Sequence, residues 1–145
     1  MRTQVLEIAN RELATVGGSK YGDVEYWCGA FVCWVLAEAG LYVQCRTSPM
    51  QGADLCRELV QTDKPQPGDI VKFHRFEHYA FFLGIKSSPQ LTIMREALIT
   101  LDGSSGSNSV SVCSREYRKP LVSFYSLDEL IGRLDWTGAH TGEVA

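Results

Sequence analysis

The apolar segment 27–36 constrains the fold of this chain more than any other segment. Beyond Cys28, apolar residues recur at the spacing of one helical face: Phe31, Val32, Val35 and Ala39. This periodicity predicts a helix that buries one stripe, and Gly40 after the last periodic residue is a typical helix end. Cys28 is then expected at the N-terminal tip of a helix that packs on a core.

The position of Cys28 favours a reactive thiol. The first N–H groups of a helix lack intrahelical partners and carry the positive end of the helix dipole, so they stabilise a thiolate. The thiolate is the nucleophilic form of cysteine. The alternative is a buried cysteine that acts as a small apolar residue, which is the commoner case. That alternative suits Cys33 well, and it explains less well a cysteine at the very start of the helix.

The length and charge of the chain set broad limits. The 145 residues predict one domain over 1–145, with a core over about 3–133 and a tail over 134–145. A net charge of −3 argues against nucleic acid as a partner. The sequence has neither an apolar run long enough to cross a membrane nor the apolar region of a signal peptide. We therefore expect no membrane insertion, and synthesis in a cytoplasm without a signal peptide.

Five cysteines stand at positions 28, 33, 45, 56 and 113. Their number is odd and no pair has the CxxC spacing, which predicts reduced thiols in a reducing compartment. His74 and His78 form the only obvious candidate metal pair. On a strand, however, residues four apart are separated by more than about 10 Å along the chain. We expect no metal, no cofactor and no effect of chelators.

The order of elements predicts an α+β fold, with helices first and a mostly antiparallel sheet of about five strands after them. The predicted helices cover 3–16, 28–39 and about 48–60. In the first helix Leu13 and Val16 are expected to face inward, and in the third Ser48 and Pro49 are typical of a capped helix start. The predicted strands cover 70–73, 78–85, 91–101, 110–113 and 121–125, and a last short helix follows from Ser126.

Three residues in this arrangement fit nucleophilic catalysis. Cys28 supplies a thiol, His78 opens a central strand, and Asp102 ends a neighbouring strand; these are a nucleophile, a base and a group that orients the base. His78 shares its strand face with the small Ala80, and we expect the cysteine helix to approach that face. The backbone N–H of Cys28 is a candidate oxyanion donor. Tyr21 lies in the loop before the helix, where lining a cleft and packing the loop are equally plausible roles.

Several sequence blocks, in the same order, resemble one protein family: 21–22 (YG), 26–34 (YWCGAFVCW), 67–71 (PGDIV), 78–84 (HYAFFLG) and 102–104 (DGS). They resemble the CHAP domains, which are cysteine- and histidine-dependent amidohydrolases and peptidases of the papain-like NlpC superfamily. The resemblance covers roughly residues 5–125, and its last block is the weakest. It implies a papain-like fold with the nucleophilic cysteine at a helix N-terminus.

The resemblance also implies roles for single residues. Cys28 matches the nucleophile, His78 the base, and Asp102 the third member. Ser104 stands where the family has asparagine, so Ser104, together with Tyr21 and Trp27, is a candidate for substrate or oxyanion contacts. The implied reaction is cleavage of an amide bond in peptidoglycan, either as an N-acetylmuramoyl-L-alanine amidase or as an endopeptidase.

The expected partner is therefore peptidoglycan, and the expected state is a monomer that acts on the bacterial cell wall after release or delivery. Release through a holin would suit a phage endolysin, and an inhibitory immunity protein would suit a secreted effector. Two alternatives keep the fold. One is an acyltransferase or a hydrolase of a non-wall amide; the other is a catalytically silent binding module.

Overall fold

The computed structural model describes residues 1–22, 27–43, 46–48, 52–54, 59–75, 78–90, 93–104 and 108–134. Its elements, in chain order, are α1 (Arg2–Arg11), α2 (Cys28–Glu38), β1 (Arg46–Ser48), β2 (Gly52–Asp54), β3 (Val60–Thr62), β4 (Ile70–Phe73), β5 (His78–Gln90), β6 (Ile93–Asp102), β7 (Ser111–Glu116), a 3₁₀ turn (Lys119–Leu121), β8 (Val122–Ser126) and a helix α3 over 128–134. The predicted α+β class is confirmed.

The main sheet is antiparallel and has six strands in the order β3-β8-β4-β5-β6-β7. One strand, β3, was not predicted. The central hairpin β5–β6 is longer than expected, since Gln90 still pairs with Ile93. The register of β5 against β6 shifts by one residue between Phe82 and Gly84, as it does at a β-bulge. The predicted tail beyond 134 lies outside the described residues.

The predicted helix over 48–60 is wrong. Arg46–Ser48 pairs with Gly52–Asp54 as a small antiparallel ladder, and β3 begins at Val60. Serine followed by proline is a turn signal as well as a helix-start signal, and here strand pairing overrides the local capping pattern. The other positions of that prediction, 49–51 and 55–58, lie outside the described residues.

The first helix is also shorter than predicted. It ends at Arg11, and Ala14 has a φ of 71°. Leu13 and Val16 were expected to face the core, but they are 39% and 75% exposed. Both follow the end of the helix, so its periodicity no longer sets their direction.

The two faces of the main sheet carry two separate cores. Helix α2 packs on the face that carries Tyr79 and Phe81, and the rings of Phe31 and Phe81 meet edge to face with centroids 6.0 Å apart. The opposite face buries a second apolar cluster: Val71, Phe73, Ala80, Phe82, Leu98 and Phe124. The helix therefore covers the face opposite to the one expected from the small residue Ala80.

A buried carboxylate joins the two ends of the chain to the sheet. Asp69 is 1% exposed and accepts bonds from Arg2 at 2.9 Å and from the backbone N–H of Leu127 at 3.0 Å. Gly68 before it has a φ of 100°, and a Cβ there would lie 3.0 Å from the Cβ of Arg2. The turn at Pro67–Asp69 thus holds α1 and the start of α3 against β4 through hydrogen bonds to the Asp69 carboxylate.

The expectation of reduced thiols is contradicted for one cysteine. Cys33, on α2, is disulfide-bonded, whereas Cys28 and Cys113 are free. A disulfide requires two Cα atoms within about 7 Å, which cysteine spacing along the chain does not reveal.

Within the described ranges, no helix has both the length and the apolar character needed to cross a membrane.

Candidate active site

Helix α2 begins at Cys28, with Trp27 as its N-cap residue. The first intrahelical bond runs from the N–H of Phe31 to the carbonyl of Trp27 at 2.9 Å. The Cys28 side chain is hydrogen-bonded to His78 and receives the backbone N–H groups of Gly29 and Tyr79. The thiol is therefore placed by the tip of the helix and by the start of β5 together.

His78 is the first residue of β5 and is 9% exposed. Its Nε2 lies 2.5 Å from Oδ2 of Asp102. Because Nε2 faces the carboxylate, Nδ1 is the ring nitrogen left for the Cys28 thiol. The ring of Phe73, paired with His78 across β4 and β5, lies 5.6 Å from the imidazole centroid. His78 thus contacts both Cys28 and Asp102, so the structure brings these three residues together.

Asp102 ends β6 and is fully buried. Its Oδ1 accepts a hydrogen bond from the hydroxyl of Thr100, and its Oδ2 lies 2.8 Å from Nη2 of Arg115. A buried carboxylate is stable only when it is paired and hydrogen-bonded, and these contacts meet that requirement.

Thr100 and Arg115 were not predicted from the sequence as residues of this site. The signal for Thr100 was present, since a residue two positions before Asp102 on a strand shares its face. Arg115 is brought to the site by the register of β6 with β7, in which it pairs with Leu98. Sequence alone does not give that register.

The three groups shift one another toward a charged pair. Burial opposes the charged form of each group, and the hydrogen bonds outweigh it. Hydrogen bonding to Asp102 and Cys28 raises the pKa of His78 to about 9. The bond to His78 and its charge hold the pKa of Cys28 below its ordinary value, and His78, Thr100 and Arg115 hold the pKa of Asp102 below its own. These shifts all favour a thiolate–imidazolium pair beside an ionised carboxylate.

Trp27 fixes the start of α2 rather than facing solvent. It is 2% exposed, and its Nε1 donates to Oδ1 of Asn108 at 2.9 Å. A Cβ on Gly18 would lie 2.2 Å from the indole, and one on Gly103 would lie 2.8 Å from it. Because Gly103 directly follows Asp102, this contact sets the end of β6 against the start of α2.

Tyr21 packs its loop against the protein, which is one of the two roles considered for it; the other was to line a cleft. It is 9% exposed, and its ring stacks on that of Trp27 at 5.5 Å. Its hydroxyl donates to Glu12 at 3.0 Å, and burial raises the pKa of Tyr21 to about 12. Ser104, the third candidate for substrate contact, is partly exposed with a φ of 59° just beyond Asp102.

The backbone N–H of Cys28 lies in the first turn of α2. It precedes the first intrahelical bond, so it has no acceptor in the helix. The neighbouring N–H of Gly29 is directed at the sulfur instead.

The chain matches no protein-family model, no curated protein and no solved structure.

The described residues contain no group of three or more His, Cys, Asp or Glu side chains arranged to hold a metal ion. Nε2 of His74 lies 2.6 Å from the hydroxyl of Ser123. What His78, Cys28 and Asp102 can do together is polarise a thiol, transfer its proton and hold the imidazole in one orientation.

Proposed function

We propose that this protein is a cysteine hydrolase of amide bonds that acts through a thioacyl-enzyme, with Cys28 as nucleophile. The observation that carries the proposal is the continuous array from Cys28 through His78 to Asp102, in which Nε2 of His78 lies 2.5 Å from the carboxylate. Groups that act as nucleophile, base and orienting partner are recognised by this geometry rather than by their order in the chain.

In the first half of the reaction, the Cys28 thiolate attacks the carbonyl carbon of the scissile amide. A carbon–sulfur bond forms, and the carbonyl oxygen becomes an oxyanion that accepts the N–H of Cys28. The His78 imidazolium then donates its proton from Nδ1 to the nitrogen of the leaving amine, and the carbon–nitrogen bond breaks. Asp102 keeps the ring oriented throughout.

The second half returns the enzyme to its resting state. Neutral His78 takes a proton from water, and the resulting hydroxide attacks the thioester carbonyl. The carbon–sulfur bond breaks, the thiolate of Cys28 leaves, and a carboxylic acid is released. The imidazolium and thiolate are then paired again. The sum is hydrolysis, with water and the amide as the only reactants.

For the substrate, we propose an amide bond of bacterial peptidoglycan and, for the fold, a papain-like arrangement. The support is the ordered resemblance of the blocks around Cys28, Asp69, His78 and Asp102 to CHAP domains. The helix-tip cysteine facing a histidine at the start of a strand agrees with that arrangement. In this proposal the protein reaches the wall after holin-dependent release, or after delivery as an effector with an immunity partner.

The test is digestion of purified cell walls, followed by mass spectrometry of the released muropeptides. New amino groups without new reducing ends are expected, and the fragment masses separate an amidase from an endopeptidase. Cys28→Ala should abolish the release, while Cys113→Ala, which removes the other free described thiol, should keep it. Intact walls combined with a Cys28 that reacts with iodoacetamide well below pH 8.5 would refute the wall substrate but keep the thiol chemistry. Wild-type turnover by Cys28→Ala would refute the mechanism itself.

A further inference from the structure

Arg115, on β7, closes a ring of hydrogen bonds around the carboxylate of Asp102. Its Nη2 lies 2.8 Å from Oδ2 of Asp102, and its Nη1 donates to Oγ1 of Thr100 at 2.9 Å. Thr100 in turn donates to Oδ1 of the same carboxylate. Both oxygens are therefore held, and the plane of the carboxylate is fixed relative to the sheet.

Arg115 is itself held in place by packing. Its guanidinium carbon lies 4.8 Å from the centroid of the Phe73 ring, which is a favourable cation–π distance. The same ring lies 5.6 Å from the imidazole of His78. The Arg115 side chain is 28% exposed, whereas the Asp102 side chain is fully buried. Arg115 therefore reaches from the surface to a carboxylate that water does not touch.

His78 and Arg115 compete for the same atom. Nε2 of His78 and Nη2 of Arg115 both contact Oδ2 of Asp102, at 2.5 Å and 2.8 Å. An oxygen shared with a permanent cation gives less of its charge to the imidazolium, and the cation itself repels the imidazolium at short range.

We propose that Arg115 is a positioning residue for the catalytic site. It holds the Asp102 carboxylate toward His78, and it limits how strongly that carboxylate stabilises the protonated imidazole. This inference deepens the proposed function and rests on it for its catalytic meaning. An imidazolium held too firmly is a poor acid toward the leaving amine, because proton transfer is efficient when the donor is near the working pH.

The charged groups around this network are few among the described residues. Cys28 and Asp102 face His78 from α2 and β6, and Arg115 faces the carboxylate from β7. The outer side of Arg115 lines a pocket of about 130 Å³, whose other charged residues are Arg75, Glu116 and Arg118. Arg118 pairs with Glu116 at 3.2 Å. Arg118 is thus a cation of the same pocket that makes no contact with Asp102, and it provides a matched control.

The experiment is a proton NMR titration of the histidines in Arg115→Met and in Arg118→Met. The chain has 3 histidines, and a His78→Ala sample assigns the signal of His78. In Arg115→Met we expect the His78 midpoint to rise by about one pH unit, a tenfold tighter hold on the proton. We expect kcat for wall digestion to fall by up to about tenfold with KM unchanged, because the imidazolium becomes a tenfold weaker acid toward the leaving amine. Arg118→Met should match the wild type in all three quantities.

Arg115→Lys separates charge from geometry and covers the case in which the methionine variant fails to fold. Lysine keeps the cation but has no planar fork. Its His78 midpoint should stay within about 0.3 pH units of the wild type, while kcat falls. A wild-type kcat in Arg115→Lys would overturn the positioning role.

An unchanged or lower His78 midpoint in folded Arg115→Met would overturn the sharing of charge. An additional effect of Arg115→Met in an Asp102→Asn background, as large as in the wild type, would show that Arg115 does not act through Asp102. The titrations need no substrate. A wild type that fails to digest walls would therefore refute the proposed substrate and leave this measurement valid.

Discussion

Replacing Cys28 with alanine should make the stability of this protein fall with pH between about 6.5 and 8.5. In the folded protein the pKa of His78 is raised from 6.5 to about 9, so His78 keeps a proton that the unfolded chain has released. A group of this kind stabilises the fold fully below about pH 6.5, and its contribution is lost as the pH rises through about 9.

Cys28 contributes with the opposite sign. Its pKa is lowered in the folded protein by His78, against the effect of burial. The folded protein has therefore released a thiol proton that the unfolded chain keeps up to about pH 8.5. This contribution is lost as the pH falls through the folded pKa of Cys28, and it grows as the pH rises above that value.

The two slopes oppose each other in the wild type, because folding favours proton uptake by His78 and proton release by Cys28. Each slope amounts to about 1.4 kcal/mol per pH unit. Without the thiol, only the His78 slope remains. The full rise of the His78 pKa is worth about 3 kcal/mol, and the thiolate supplies part of that rise. We therefore expect Cys28→Ala to lose about 1 to 2 kcal/mol between pH 6.5 and pH 8.5 relative to the wild type.

The assay is urea unfolding at three pH values across this window, followed by tryptophan fluorescence. Reductant is omitted so that the disulfide of Cys33 stays intact. Cys113→Ala is the control for loss of a free thiol, and its pH dependence should match that of the wild type. If Cys28→Ala and the wild type show the same pH dependence, the Cys28 thiol does not oppose the His78 slope, and the ion-pair argument fails.

Two further predictions concern the residues that frame the site. Gly103→Ala places a Cβ 2.7 Å from that of Phe31, so it should destabilise the protein by about 1–3 kcal/mol and reduce activity. Gly132→Ala, with no atom within 4 Å of the new Cβ, should stabilise α3 by about 0.5–1 kcal/mol; thermal melting that ranks the two variants equally would contradict the contact argument. Asp69→Ala should cost about 3–5 kcal/mol because it leaves a buried network without its anion. Asp128→Ala, at a carboxylate 71% exposed, should cost less than about 1 kcal/mol, and chemical denaturation that shows equal losses would exclude a special role for Asp69.

The three residues that meet at the candidate site could be proposed from the sequence because each occupies a position with a local signature. Cys28 precedes an apolar helical stripe, His78 opens an apolar strand, and Asp102 ends the next one. These patterns follow from periodicity within single elements. The resemblance to CHAP domains likewise rests on short blocks of sequence and their order along the chain. The contact between the three residues follows once a helix packs on a sheet whose strands are sequential neighbours.

The rest depended on pairings between elements. Arg115 reaches Asp102 only through the register of β6 and β7, and a shift of one residue would turn it to the other face. The ladder of β1 and β2 replaced a helix whose capping signals were locally sound. The disulfide of Cys33 and the face of the sheet on which α2 packs likewise depend on tertiary distances that no local pattern encodes.

The choice of sheet face explains how the site is built. The side chain of Phe81 faces α2. Because side chains alternate along a strand, those of His78 and Asp102 lie on the opposite face of the sheet, which carries the second apolar cluster. A histidine in the middle of β5 on that face would be hidden from the helix by the sheet itself. At the first position of the strand, the imidazole can meet the tip of α2 past the end of the sheet. The thiol therefore lies on the side of one core and the carboxylate on the side of the other, and His78 contacts both groups.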